Sequence, residues 1–197
     1  MPRPRKDDPQ SAATAKIEAA FWRLLEEVGY SEITVRRVSQ AAGTNRNSFY
    51  YHYEDLEDLA RKAFLNNAAG AHPLISSLIE GFRDGGAQPV RPDEGVVEHA
   101  RRVMLCARSE SSFLRGMVSG LLRDIWFGEL GIDGKLLSTD DRVQVEFIFT
   151  GLVAVLGGAE AAESPLVMAR LAASPMGRAS MMALREMAAA QSDGTLS

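Results

Sequence analysis

Residues 34–53 read TVRRVSQAAGTNRNSFYYHY, and the reading of this stretch decides the fold. Val35, Val38, Ala41 and Ala42 recur at three- and four-residue spacing, while Arg36, Arg37, Ser39 and Gln40 fall on the other side. The first half therefore predicts a short amphipathic helix with a basic, polar outer face. Gly43 supplies the permissive backbone of a tight reversal, and Asn45 suits the N-cap of a second helix. Helix, glycine turn, helix is the order of a DNA-binding helix-turn-helix. The second helix crowds Arg46, Asn47, Ser48, Tyr50, Tyr51 and His52 around one plainly apolar residue, Phe49. Arg, Asn and Ser donate to base edges and phosphates, and Tyr hydroxyls reach phosphates. Taken alone, the same composition also describes a solvated polar helix with a single core Phe.

The flanks narrow this choice. Upstream, Ile17, Ala20, Phe21, Leu24, Leu25 and Val28 share one face of a helix predicted over residues 11–28, and Gly29 ends it. Tyr30 and Ile33 are expected to fold back onto that face, with Thr34 as the next N-cap. Downstream, Asp55 caps a helix whose stripe is Leu56, Leu59, Ala60, Ala63 and Phe64, running toward Asn67; Asp58 lies in its first turn, where the helix dipole favours a carboxylate. Residues 11–66 thus form a compact helical unit that includes the start of a connecting helix. Residues 1–10 carry Arg3, Arg5 and Lys6 among prolines and read as an extended basic arm, weakened for DNA by Asp7 and Asp8.

The run IEAAFWRLLEEVGYSEITVRRVSQAAGTNRNSFYYHYEDLEDL resembles the N-terminal domain of TetR-type (tetracycline-repressor-like) transcriptional regulators. The shared features are an apolar first helix closing on Gly29-Tyr30, the TVRRVSQAAG helix and turn, and a short third helix ending Phe-Tyr-Tyr-His-Tyr. The resemblance covers roughly residues 12–66. It implies that the third helix enters the major groove, with Arg46, Asn47 and Ser48 at base edges and Tyr50 and Tyr51 on phosphates and thymine methyls. Thr34 and Arg36 would contact the backbone or a neighbouring base, His52 matches the family's histidine, and Arg37 and Thr44 are grouped with the DNA-facing set. One position departs: Leu56 stands where the family often has Lys, so one phosphate contact is missing or comes from the arm.

Residues 67–190 read as a larger, less polar helical domain, followed by a tail at 191–197. A short helix from Pro73 to Arg83 is expected to end at Asp84-Gly85-Gly86, before a proline-interrupted loop. Val96, Val97, Ala100, Val103, Met104 and Ala107 form one stripe; Phe113, Leu114, Met117, Val118, Leu121, Leu122, Ile125 and Trp126 form the next. From Phe147 to Leu156 there is no charge, and a helix apolar all round must be covered on all sides, either by its own domain on one face and a second subunit on the other or by deep burial within one subunit. Gly151, Ala154, Gly157 and Gly158 would let a neighbour approach closely. A last segment, broken near Ser174-Pro175, is rich in Ala and Met. The resemblance implies that the last two long helices form a four-helix dimer interface, for which Phe149, Leu152, Val153, Leu156, Met181 and Leu184 are the candidates. It also implies a pocket for a small apolar or amphipathic effector among His99, Met104, Phe113, Met117, Trp126, Phe147 and Phe149, with Arg115 and Cys106 as further polar options. A ligand there would shift the population toward a conformer in which the connecting helix swings the two reading helices out of register.

Composition bounds the rest. The chain has 197 residues, 46% of them apolar, enough for a core. A net charge of −4 and a pI near 5.5 lend no global support to nucleic-acid binding. Residues 1–62 hold ten basic and ten acidic side chains, so binding must rest on sidedness. The lone Cys106 excludes an intrachain disulfide and fits a reducing cytosol. The N-terminus has no apolar segment of signal-peptide type, and no window approaches the ~18 apolar residues of a membrane span. His52, His72 and His99 are isolated, and no HExxH, CxxC or paired-carboxylate pattern accompanies them, which argues against an enzyme. The expectation is an all-α, cytoplasmic, ligand-released repressor that binds a palindromic operator as a homodimer, without cofactor or metal. The alternatives are a helix-turn-helix DNA-binding protein with no small-molecule effector, acting structurally or through a protein partner, and, further off, an enzyme.

Overall fold

The structure, a computed structural model, describes residues 9–84, 94–158 and 164–194. Of the arm expected over residues 1–10, residues 1–8 lie outside the described residues while Pro9 and Gln10 begin α1; the loop expected after Asp84 and the last three positions of the expected tail also lie outside them. Those described form nine α-helices: α1 Pro9–Val28, α2 Val35–Ala41, α3 Arg46–His52, α4 Leu56–Asp84, α5 Glu94–Arg108, α6 Ser112–Leu130, α7 Thr139–Gly158, α8 Ser164–Ala173 and α9 Pro175–Gly194.

The first three helices build a head around α1. Ile17, Phe21, Leu24 and Leu25 of α1 meet Val38 of α2, Phe49 of α3 and Leu59, Ala60, Ala63 and Phe64 of α4, all buried. Each fully buried Phe or Leu here contributes about 1.5–3 kcal/mol against the chain entropy of ordering such short helices. Ile33 folds back into this core as expected, while Tyr30 is half-buried at its edge. Local capping sets the two short helices. Thr34 Oγ1 accepts from the Arg37 N–H at 3.2 Å, and Asn45 Oδ1 accepts from the Ser48 N–H at 2.8 Å. Between them Gly43 adopts φ 65°, a left-handed turn that a side chain would strain.

Three expectations about segments and faces need correction. Ser39 is not on the outer face of α2; it is buried beside Val38, because α2 is wedged between α1 and α3 and its inward surface is wider than the stripe of Val35, Val38, Ala41 and Ala42. The connecting helix does not stop near Asn67 with a new helix at Pro73. One continuous α4 runs through Pro73 to Asp84, since a proline removes a single helical bond while packing on α5, α6, α8 and α9 supports the rest. The tail expected from Gln191 is helical as far as Gly194. Gln191 donates from its side-chain nitrogen to the Asp133 carbonyl at 3.1 Å and accepts from the Asp133 N–H at 2.8 Å, tying the end of α9 to the loop after α6.

The body continues the same core. Val103, Cys106 and Ala107 of α5, Leu114, Val118, Leu122 and Trp126 of α6, and Val145, Ile148, Phe149, Leu152, Val153 and Leu156 of α7 are buried together. Met168 and Ala172 of α8 and Met181, Leu184 and Met187 of α9 close it. Gly157 allows the close approach anticipated for α7: a Cβ there would lie 2.7 Å from the Ala107 carbonyl oxygen, so it is α5 of the same chain that comes near.

Candidate nucleic-acid interface

Phe49 anchors α3 from within, its ring 5.5 Å from that of Tyr53, and the other residues of this seven-residue helix project from the head. Arg46 and Asn47 are exposed and Ser48 is half-buried. Tyr50 and Tyr51 are 58% and 70% exposed. Tyr50 rests edge-on against Phe49 at 5.4 Å and Tyr51 against His52 at 5.0 Å, so both rings are braced on a capped helix with most of their surface in solvent, where a partner would use both ring and hydroxyl. Arg36 on α2 is exposed as well, and neither Arg36 nor Arg46 makes an ion pair among the described residues.

Other members of the predicted set have local employment. Thr34 serves as the cap of α2. Arg37 donates to the Glu32 carbonyl at 2.7 Å and lies 3.4 Å from its carboxylate, so its guanidinium is tethered to the 3-10 turn at Tyr30–Glu32. Thr44 closes the α2–α3 turn through its N–H, 2.9 Å from the Ser39 carbonyl. His52 is half-buried, its ring edge-on to Tyr51 at 5.0 Å. Leu56 packs against the head core, so this position serves packing and offers no charge.

Sequence reasoning missed the residues that hold α3 in place. Tyr53 is buried and donates its hydroxyl proton to Glu18 of α1 at 3.2 Å; Asn66 of α4 donates to the same carboxylate oxygen at 2.8 Å. Burial, then the Glu18 charge and hydrogen bond, push the Tyr53 phenol well above its ordinary range, so it is a neutral donor. These pairs are separated by 35 and 48 positions, and no local pattern announces them.

A second set joins head to body. Arg101 of α5 is ion-paired with Glu26 of α1 and forks onto Glu98 at 2.8 and 3.1 Å, while Arg102 lies over the Trp22 ring at 5.5 Å. Hydrogen bonds from Arg101 hold the Glu98 carboxyl below the usual carboxylate range against the opposing effect of burial. On the other side Arg61 of α4 lies over the Phe113 ring at 5.3 Å, and that ring is 6.3 Å from Tyr30. The 98, 101, 102 spacing within α5 was legible; the partners on α1 and α4 were not.

The seven residues expected to line an effector pocket are not brought together. His99 is bound to Asn67 of α4, and Phe113 sits at the head–body joint. Met104 is core, and Phe149 packs edge-on against Trp126 at 6.0 Å. Met117 is half-buried against the core, and Phe147 is 68% exposed. Of the seven, Trp126 and Phe147 line a common cavity of about 150 Å³, with Ile148, Leu152, Val155 and Met176. Of the two further options, Cys106 is buried and Arg115 lines a more open polar groove between α6 and α7. The six candidates for a dimer interface are likewise displaced: Phe149, Leu152, Val153, Leu156, Met181 and Leu184 are all buried in the chain's own core. An all-apolar helix gives no periodic signal of which face turns inward, and these residues turn inward.

Residues 17–63, from the first core residue of α1 into α4, match the family model of bacterial regulatory proteins of the tetR family. The matched span is a DNA-binding domain of the tetR type. The chain is a DNA-binding transcriptional regulator, and the matched span contains the whole helix-turn-helix. The chain is 29% identical over 140 residues to the HTH-type transcriptional repressor AcnR of Corynebacterium diphtheriae, covering 69% of this chain and 73% of that one. Among solved structures it is similar to the fatty acid degradation regulator FadR from Bacillus halodurans (TM-score 0.44, 16% identity, 87% of this chain and 98% of that one). It is also similar to a TetR family transcription regulator from Marinobacter aquaeolei VT8 (TM-score 0.39, 15% identity, 86% of this chain and 95% of that one). No helix among the described residues is long and apolar enough to cross a membrane.

Proposed function

We propose that this chain is a cytoplasmic repressor of the tetR family that acts by binding rather than catalysis, seating α3 of each of two subunits in the major grooves of a palindromic operator. The observation that carries this reading is the outward row of Arg46, Asn47, Tyr50 and Tyr51 on a helix fixed by a single buried Phe. Repression is the stated role of the relative AcnR, and it comes to this chain as part of the proposal.

The subunits would pair through the outward faces of α7 and α9. Val143, Phe147, Gly151 and Ala154 recur along one exposed side of α7, and Met176 and Met182 are exposed on α9. A row of large apolar residues beside small ones suits close helix packing across a two-fold axis. The effector would be a small apolar molecule in the cavity beneath Phe147 and Met176. That cavity is below the roughly 300–1,000 Å³ of ordinary ligand sites, so a ligand would have to widen it. The close packing of Met104, Trp126 and Phe149 favours a second reading, in which the regulator has no small-molecule effector.

Selecting fragments of genomic DNA with the purified protein tests the reading. A recovered two-fold sequence, bound by a species that sediments as a dimer, is the expected result. Recovery of no preferred sequence, or a monomer at micromolar concentration, contradicts it.

A further inference from the structure

A seven-residue helix has little stability of its own, so the attitude of α3 depends on what grips its ends. Its N-terminus is capped by Asn45. At its C-terminus the last carbonyls lack helical partners and the helix dipole favours a cation. Lys62, on the second turn of α4, supplies one. Its ammonium donates to the His52 carbonyl at 3.1 Å and to Asp58 Oδ2 at 2.8 Å, and it lies 5.3 Å from the centre of the Tyr53 ring. Asp58 is itself fixed, accepting from the Glu54 N–H at 3.1 Å and donating its own N–H to Asp55 at 2.8 Å. Tyr53 is fixed from the far side by Glu18, which also accepts from Asn66.

We propose that Lys62 is a positioning residue for DNA recognition: it clamps the last turn of α3 to α4 and acts on DNA only through that helix. An ammonium has three donors, and here two oxygens and a ring face are already aimed at them. A phosphate would have to displace these partners. Nor does Lys62 replace the lysine absent at position 56, because six residues on, it points about 240° round the helix from Leu56. Because α4 carries the clamp, any tilt of its first turns is delivered to the reading residues as a rigid movement of α3.

The proposal rests on α3 being the reading helix, and the test separates the two ideas. The full chain carries four tyrosines, Tyr30, Tyr50, Tyr51 and Tyr53, so 15N-tyrosine labelling yields four backbone amide signals. In Lys62→Met without DNA, the Tyr51 and Tyr53 signals should move while Tyr30 stays, and Lys62→Arg should restore them. Against an operator fragment recovered by selection, Lys62→Met should bind roughly tenfold more weakly, with reduced preference over a mismatched fragment. The slope of log affinity against log salt should not change, because no phosphate contact is lost. Unmoved tyrosine signals, undiminished affinity, or a slope lowered by about one per subunit with preference intact each overturn the clamp; the last identifies a direct phosphate contact. Arg46→Ala is the parallel arm: if it binds the operator as selectively as the parent, the assignment of α3 fails, whatever Lys62 does.

Discussion

Asn67 of α4 and His99 of α5 are joined twice. The Asn67 side-chain nitrogen donates to the His99 carbonyl at 2.8 Å, and its oxygen lies 2.9 Å from His99 Nδ1. Asn67 is only 3% exposed, so both of its polar atoms are satisfied by one residue of the neighbouring helix. One turn further along α4, Gly70 leaves room for the imidazole: a Cβ there would stand 2.3 Å from His99 Cδ2. His99 is thus committed to holding the connecting helix against the body.

Gly70→Ala should therefore destabilise the protein, against the usual trend. Inside a helix the change ordinarily gains up to about 1 kcal/mol. Here the added methyl meets the root of a ring that cannot retreat without breaking its bond to Asn67, and overpacking of this kind costs about 1–3 kcal/mol. The expected result is a melting temperature lower by several degrees, roughly 2–4 °C per kcal/mol for a domain of this size. An unchanged or higher melting temperature would refute the contact.

Ser39→Ala should do the reverse. The Ser39 hydroxyl is buried and has no hydrogen-bond partner among the described residues, a condition that costs about 1–3 kcal/mol. Alanine removes the orphan group and is the better helix former. A stabilisation of about 1 kcal/mol in urea titration is expected, with operator affinity unaltered. Destabilisation would show that the hydroxyl is engaged.

These two sites mark where local reasoning ends. Caps act over three residues, so Thr34 and Asn45 could be read directly from the chain, and with them α2, α3 and the turn at Gly43. The outward rank of α3 followed because one Phe among polar residues admits a single inward face. Pro73 misled because a proline signals a break only where no tertiary packing supports the helix on both sides of it. In α7 the apolar run concealed its own orientation: Phe147, expected in a pocket, is 68% exposed, and Phe149, expected at a pocket and a dimer interface, lies in the core. Polar ties such as Glu18–Tyr53, Asn67–His99 and Glu26–Arg101 join distant positions and have no sequence period at all.

High pH should weaken the fold. Burial pushes the Cys106 thiol from its ordinary 9.0 up to about 12. Burial, with Glu57 and Asp55 nearby, pushes the Tyr30 phenol from 10.0 up to about 12. Between the ordinary and the raised values the unfolded chain gives up protons that the folded chain keeps, so stability is fully present below about pH 9 and falls as pH rises toward 12. Urea midpoints taken across this interval should decline, and Cys106→Ala should show a shallower decline from a lower starting stability. A thiol reagent at about pH 8 should label native Cys106 slowly and the unfolded chain at once; rapid native labelling would contradict its burial.

Salt should reduce operator affinity, but moderately. The head carries no net charge over residues 1–62, and Arg37 is held by Glu32, leaving Arg36 and Arg46 as the exposed arginines of α2 and α3 without an ion pair among the described residues. For a dimer, the slope of log affinity against log salt is expected to have a magnitude of roughly 4 to 8. A slope near zero would remove the electrostatic basis of DNA binding.

Arg46 and Asn47 should be separable from Arg36 by what their loss does to selectivity. On α3, an exposed Arg beside an exposed Asn can make the bidentate contacts that distinguish guanine and adenine edges, each about 1–3 kcal/mol of discrimination. Arg46→Ala or Asn47→Ala should therefore cost about that much per half-site and relax the preference at one or two base pairs, visible when binding is measured across a panel of single-base operator variants. Arg36 stands on α2, where a backbone contact is the expected role, so Arg36→Ala should weaken all variants alike and lower the salt slope by about one per subunit. If all three substitutions shifted the whole panel uniformly, α3 would be a phosphate-binding helix and the bases would be read from elsewhere.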